Sequence, residues 1–238
     1  MPIIWGQNST GSSGTAFTDA WDVNIVETLP STAVTLGVSS SDNTKDTGAG
    51  VGARTVGIWY LDSSYALQYE TVTLNGQTEV DTTGTALRVV SAEVLTVGTE
   101  LDPAGNIWIY DASDTVTSGV PQTATKKMGY IVAGENVMRK GMFTVPAGKT
   151  RRILKIEIYQ ADANATLRYG KARVQFRPYG GVWKTVKLAS FTSDHVATCD
   201  FSGIKDYAPT FSEKTDFRIQ AVLLAAAPWA CQIVYEDW

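Results

Sequence analysis

The chain has 238 residues and a net charge of −4, with 44% hydrophobic and 18% charged residues. A chain this long buries enough surface to fold without a metal or a disulfide, and its two cysteines, Cys199 and Cys231, make no disulfide framework; they read as buried thiols more readily than as a single bridge. Thr, Val, Gly and Ser dominate and helix-forming runs are missing, which favours strands, because β-branched side chains pack well on a pleated surface.

The first 20 residues are rich in Ser, Thr and Gly and lack a basic region followed by a long apolar core. They read as an extended arm and not as a signal peptide. Strand signals follow at 23–28, 33–40, 53–61, 68–74, 86–97 and 106–112, separated by turn residues. Asn75-Gly76 predicts a type I′ hairpin, because that turn needs positive φ at both central positions. Asp102-Pro103-Ala104-Gly105 predicts a further turn between strands, with Pro fixing φ and Gly at the exit. The polar segment 111–127 contains Pro121 and predicts a domain boundary near residue 125, the alternative being one continuous sandwich. In the second half, strands are expected at 126–132, 138–145, 150–160, 167–176, 182–191, 197–201, 217–224 and 231–236. Leu154, Ile156 and Ile158 alternate with Lys155 and Glu157, the period of a half-buried strand. The expected fold is all-β: antiparallel β-sandwiches, jelly-roll-like and two in tandem. The arm covers 1–20, an acidic sandwich 21–125 and a basic jelly-roll-like domain 126–238. The longest apolar run, 221–230, is too short to span a membrane and contains Pro228.

The charge is unevenly spread. Residues 1–125 hold three basic and 14 acidic residues, a net of −11, whereas residues 126–238 hold 17 basic and 10 acidic, a net of +7. Three partners fit such a split: the other half of the same chain, the opposite half of a second copy, or nucleic acid on the basic half. Overall acidity and the lack of a nucleic-acid-binding motif weigh against the third.

The stretch Gly48-Ala49-Gly50-Val51-Gly52-Ala53 raises the question of a phosphate loop. Such loops end a strand and open a helix, whereas here a polar loop precedes the glycines and a β-branched run follows. The spacing is G-x-G-x-G and no Gly-Lys-Ser/Thr is present. The glycines therefore read as a tight backbone turn, and no cofactor is expected. His195 is the sole histidine. It lies four residues before Cys199, about 13 Å away along a strand, which does not suit a Cys–His dyad. No zinc set, nucleophile elbow or H-E-x-x-H helix occurs. Residues 41–48 offer oxygen ligands, but Lys45 in their midst suits a solvated turn better than a Ca²⁺ loop.

The segment 46–80 resembles stretches of tailed-phage virion structural proteins, in particular from aquatic and cyanobacterial phages. The resemblance rests on Gly50 to Val56, Leu61-Asp62 and Glu70 to Gly76, with 142–156 and 212–222 adding to it; it covers about a third of the chain. It implies a non-enzymatic virion component, of capsid decoration, vertex or fibre-attachment type, partnered by copies of itself and by other virion proteins. Trp59 and Trp108 read as core. Trp5 and Trp238, at the termini, suit anchoring of a neighbouring subunit. The basic doublets Lys126-Lys127, Arg139-Lys140 and Arg151-Arg152 read either as solvated strand faces or as a patch that docks on an acidic surface. Two rivals remain: a glycan-binding module using exposed aromatics, and a virion-borne depolymerase, which would need paired carboxylates in a cleft.

Overall fold

A computed structural model describes residues 3–10, 16–160, 169–192, 196–201, 208–223 and 227–238, and no α-helix occurs among them. β1 (Ile3–Asn8) and β2 (Thr18–Asp19) open the chain. Then come β3 (Val34–Ser40), β4 (Ala53–Leu61), β5 (Leu67–Thr73), β6 (Val80–Ala86), β7 (Arg88–Val97), β8 (Ile107–Asp111), the short β9 (Val116–Thr117) and β10 (Val120–Pro121), a 3-10 turn (Ala124–Lys126) and β11 (Lys127–Ile131). β12 (Met142–Thr144), β13 (Arg151–Gln160), β14 (Tyr169–Arg177), β15 (Lys184–Thr192), β16 (Ala197–Asp200), β17 (Thr210–Phe211), β18 (Asp216–Leu223) and β19 (Trp229–Asp237) complete it. The all-β expectation holds, and the pairings are antiparallel. Residues 23–28, expected as a strand, form none.

The chain divides into two compact units, but not at residue 125 and not in tandem. One comprises Met1–Val26 together with Arg139–Trp238, and the other is Glu27–Met138, inserted between those two pieces. Within the expected extended arm, the described residues form β1 and the two-residue β2. β1 pairs with β19 over six residues, from Ile3 opposite Val234 to Asn8 opposite Trp229. Its apolar start and polar end gave no turn signal linking it to a strand so far along the chain. Residues 126–132, expected as the first strand of the basic domain, are β11 and belong to the inserted unit, where they pair with β8.

The host unit has two sheets, in the strand orders β1-β19-β13-β16 and β12-β18-β14-β15. Between them Phe143, Ile153, Ile156, Val174, Phe191, Phe217, Ile219, Trp229 and Ile233 form one apolar core. Phe143 and Phe217 stack with centroids 4.6 Å apart. Every residue of β18 is buried, which explains why its sequence, DFRIQAVL, lacks exposed polar positions despite its charges.

The inserted unit pairs a four-stranded sheet, β11-β8-β3-β6, with a three-stranded one, β5-β4-β7. Leu36, Val38, Val56, Ile58, Tyr60, Val89, Ile107, Ile109 and Met128 fill the space between. β5 and β6 lie in different sheets, so Asn75-Gly76 joins no hairpin. Gly76 instead donates its N–H to the Asp46 carbonyl and accepts from the Ser40 N–H, and only Gly76 takes positive φ.

The glycine-rich stretch has its explanation in Asp46. This fully buried carboxylate accepts the N–H of Ala53 (2.9 Å), Ala104 (2.9 Å) and Gly105 (2.8 Å) and the Ser40 hydroxyl (2.6 Å). It ties the loop before β4 to the turn before β8. The chain must wrap closely to reach it: a Cβ at Gly50 would collide with the Lys45 carbonyl, and one at Gly52 with the Asp46 carboxylate itself. The glycines serve an internal anion, the carboxylate of the chain's own aspartate. Asp46→Ala leaves four donors without their acceptor at roughly 1 kcal/mol or more each, so the inserted unit is expected to lose about 3–5 kcal/mol. Hydrogen exchange at the Val56 and Ile58 amides measures this, and unchanged protection would refute it.

Candidate functional site

The expected assembly residues separate into exposed and spent ones. Trp5 on β1 is 48% exposed and Trp238 is 52% exposed. The Arg152 guanidinium lies 4.7 Å from the Trp238 ring centroid and donates to Glu236 Oε1 at 3.0 Å. Lys126 directs Nζ to the Ser113 carbonyl (2.7 Å) and hydroxyl (3.1 Å). Lys127 Nζ sits 4.7 Å from the Trp108 ring centroid, and burial lowers its pKa. Both belong to the acidic inserted unit.

Arg139 pairs with Asp22 Oδ2 at 3.2 Å; burial raises the Asp22 pKa and outweighs the lowering effect of the arginine. Lys140 is buried over the Trp21 ring, at 5.1 Å. Arg151 is buried as well. Its Nε and Nη2 meet both Asp237 carboxylate oxygens at 2.7 Å, and its guanidinium lies 3.7 Å from the Tyr235 ring centroid and 4.5 Å from that of Phe143. Lys140 and Arg151 therefore offer no docking surface. For Arg151 the cause is register: β13 sets Arg151 opposite Asp237 and Arg152 opposite Glu236.

Arg151→Ala would strand a partly buried carboxylate and remove packing between two rings, at a cost of about 2–4 kcal/mol. Lys126→Ala, on the surface, should cost under about 0.5 kcal/mol. Urea unfolding of both variants distinguishes them; equal costs would contradict these placements.

An aromatic surface occurs where the sequence suggested core. Trp59 is not in the interior of the inserted unit; it stands on the outer face of β5-β4-β7, its ring 4.5 Å from that of Tyr69. Leu67 (51% exposed), Tyr69 (48%) and Leu95 (39%) share the patch. Gly57 gives it a flat floor: a Cβ there would come within 2.7 Å of the Tyr69 hydroxyl and 3.2 Å of Leu95. The Thr55 and Thr96 hydroxyls bond at 2.6 Å beside it. In sequence, Leu67, Tyr69, Thr71 and Thr73 do lie on alternate positions. What the sequence hid was that this face is the outer one. Such a surface, aromatic and rimmed by hydroxyls, suits contact with a protein or with the face of a sugar.

The charge division persists between the folded units. The inserted unit holds five basic and 13 acidic residues, a net of −8, and the host unit 15 basic and 11 acidic, a net of +4.

Among the described residues no cluster of His, Cys, Asp or Glu is arranged to hold a metal ion, and no helix is long and apolar enough to cross a membrane. His195 falls outside the described residues. Cys199 and Cys231 are free thiols, and full burial pushes the Cys231 pKa up to about 12. In the inserted unit Glu79 has its pKa raised, chiefly by burial, and its Oε2 has no hydrogen-bond partner. The folded chain thus keeps a proton that the unfolded chain has already released, so this group makes stability fall as pH rises from the ordinary value of 4.5 through the raised one. Glu79→Gln should remove that part of the pH dependence and leave the variant no less stable at pH 7, as thermal melts across the interval will show; a less stable variant would contradict it.

No family model matches the chain, and neither a curated protein nor a solved structure matches it.

Proposed function

We propose that the protein is a non-enzymatic structural component of a phage virion, assembling with copies of itself and with capsid or neck proteins in a decoration, vertex or fibre-attachment role. The observation that carries this is the placing of opposite net charge, −8 and +4, on two separately folded units of one chain. An acidic unit of one copy meeting the basic unit of the next is a head-to-tail contact, which closes into a ring when the rotation allows. Complementary charge sets the register of such contacts, while aromatic groups such as Trp59 and Tyr69 supply apolar area.

The strand order of the host unit supports a jelly-roll reading. Its eight main strands divide between two sheets, β1-β19-β13-β16 and β12-β18-β14-β15, with only β14 and β15 consecutive within one sheet, an order consistent with two interleaved Greek keys. Jelly rolls recur in viral capsid proteins, so the architecture agrees with the sequence resemblance; this is analogy at the level of fold. They recur in lectins too, and the Trp59–Tyr69 pair favours a second reading, a glycan-binding module.

Light scattering after size exclusion, at roughly 50 mM and 1 M salt, tests the main proposal, because the Debye length falls to about 3 Å at the higher concentration. A defined oligomer that loosens in high salt is expected. An oligomer indifferent to salt would keep self-assembly and overturn the electrostatic cause. A monomer at every concentration would overturn self-assembly. Binding of a host polysaccharide, lost in Trp59→Ala, would then establish the second reading.

A further inference from the structure

On the outer face of the β12-β18-β14-β15 sheet three arginines from adjacent strands converge. The register sets Arg173 opposite Gln220, Gln175 opposite Arg218 and Arg177 opposite Asp216. Arg177 is neutralised, with Nε at 2.9 Å and Nη2 at 2.6 Å from Asp216 Oδ2. The other two donate to neutral amides. Arg173 Nε reaches Gln220 Oε1 at 2.8 Å, and that glutamine passes its own Nε2 to Asp19 Oδ1 at 2.7 Å. Arg218 Nε reaches Gln175 Oε1 at 3.0 Å, and Gln175 Nε2 continues to Thr185 at 2.9 Å.

Arg218 is only 8% exposed, with its guanidinium 4.0 Å from the Trp183 ring centroid. Arg173 lies 4.3 Å from that of Phe17. Among the described residues neither has a carboxylate within ion-pairing distance. Three guanidinium groups thus share a layer with two carboxylates, Asp19 and Asp216. Burial lowers the Arg218 pKa; Arg173 and Arg177 act in the same direction, and Asp19 and Asp216 oppose them.

Burying a cation without a counter-charge is expensive, and the protein has instead spent its glutamines on holding these two guanidinium groups in place by their Nε atoms. Fixing Nε leaves the terminal nitrogens of the planar fork as the remaining donors, and that fork matches an oxyanion.

We propose that Arg173 and Arg218, beside Trp183, bind an oxyanion: a carboxylate, sulfate or phosphate group. The site does not depend on the virion reading. The group comes either as a free ion or as a carboxylate borne by the acidic unit of a second copy, and one experiment separates these.

The full chain is titrated with sulfate against chloride at constant ionic strength. The arginine Nε–Hε resonances are followed by NMR and the mass by light scattering in the same samples. Saturable shifts of the Arg173 and Arg218 resonances are expected, with chloride giving none. Arg218→Met should abolish the saturation and, without sulfate, unfold at the same temperature as the wild type or higher, because the buried unpaired cation has gone. Should that variant fail to fold, Arg173→Gln serves for the binding test. An oligomer that dissociates as sulfate saturates assigns the site to a neighbour's carboxylate; an unchanged mass assigns it to a free ion. Absence of saturable binding, or saturation that survives both substitutions, would overturn the proposal. So would an Arg218→Met variant that folds but melts lower than wild type while still binding sulfate.

Discussion

The ladder between β1 and β19 is the constraint on which the host unit rests. It joins Ile3–Asn8 to the last strand of the chain, and through β19 to β13, so that the central strands of one sheet have partners on both sides. Without β1 the edge of β19 would present a row of unpaired backbone groups, the situation that invites pairing with foreign strands. The ladder also has a kinetic meaning. Its contacts join nearly the two ends of the sequence, so the entropy of closing that loop opposes their formation.

Around that frame, three buried ionic groups are handled by one recurring device, in which several partners fixed in the backbone or in neighbouring strands hold the charge. Asp46 draws three backbone N–H groups and a hydroxyl. Asp216 takes both Arg177 and the Thr144 hydroxyl, at 2.6 Å. Arg151 has a bidentate carboxylate and two rings. Low overall charge in the sequence thus coexists with a high share of charges in structural use. The doublet Arg151-Arg152 looks like a docking patch only while its partners at 236–237 are out of view. Arg173 and Arg218 stand apart from the device, since their partners are neutral.

Local features were legible in the sequence. The strand 53–61 is β4 without adjustment, 150–160 is β13 with one residue fewer, and the charge split survives folding. Period-2 alternation reports faithfully because half-buried strands require it. What stayed hidden was everything set by pairing across long separations. Residues 3–8 carry no mark of their partner β19. Trp59 lies in an apolar run, yet alternation cannot say which face is the interior when both carry large side chains. Asn75-Gly76 has the composition of a hairpin, but its geometry follows the contacts with Asp46 and Ser40. The arginine layer was invisible for the same reason: Arg173, Arg177 and Arg218 become neighbours only when β14 and β18 align.

The two points where the chain leaves and re-enters the host unit lie side by side. Gly141 donates its N–H to the Ala20 carbonyl at 2.7 Å, Trp21 bridges Lys140, and Asp22 pairs with Arg139. A fold whose exit and entry are adjacent strands behaves as a socket. The intervening 112 residues, Glu27–Met138, are to the host little more than a long loop, and loop length bears weakly on stability. Lineages carrying such a socket are free to exchange the inserted module while keeping the host's sheets intact.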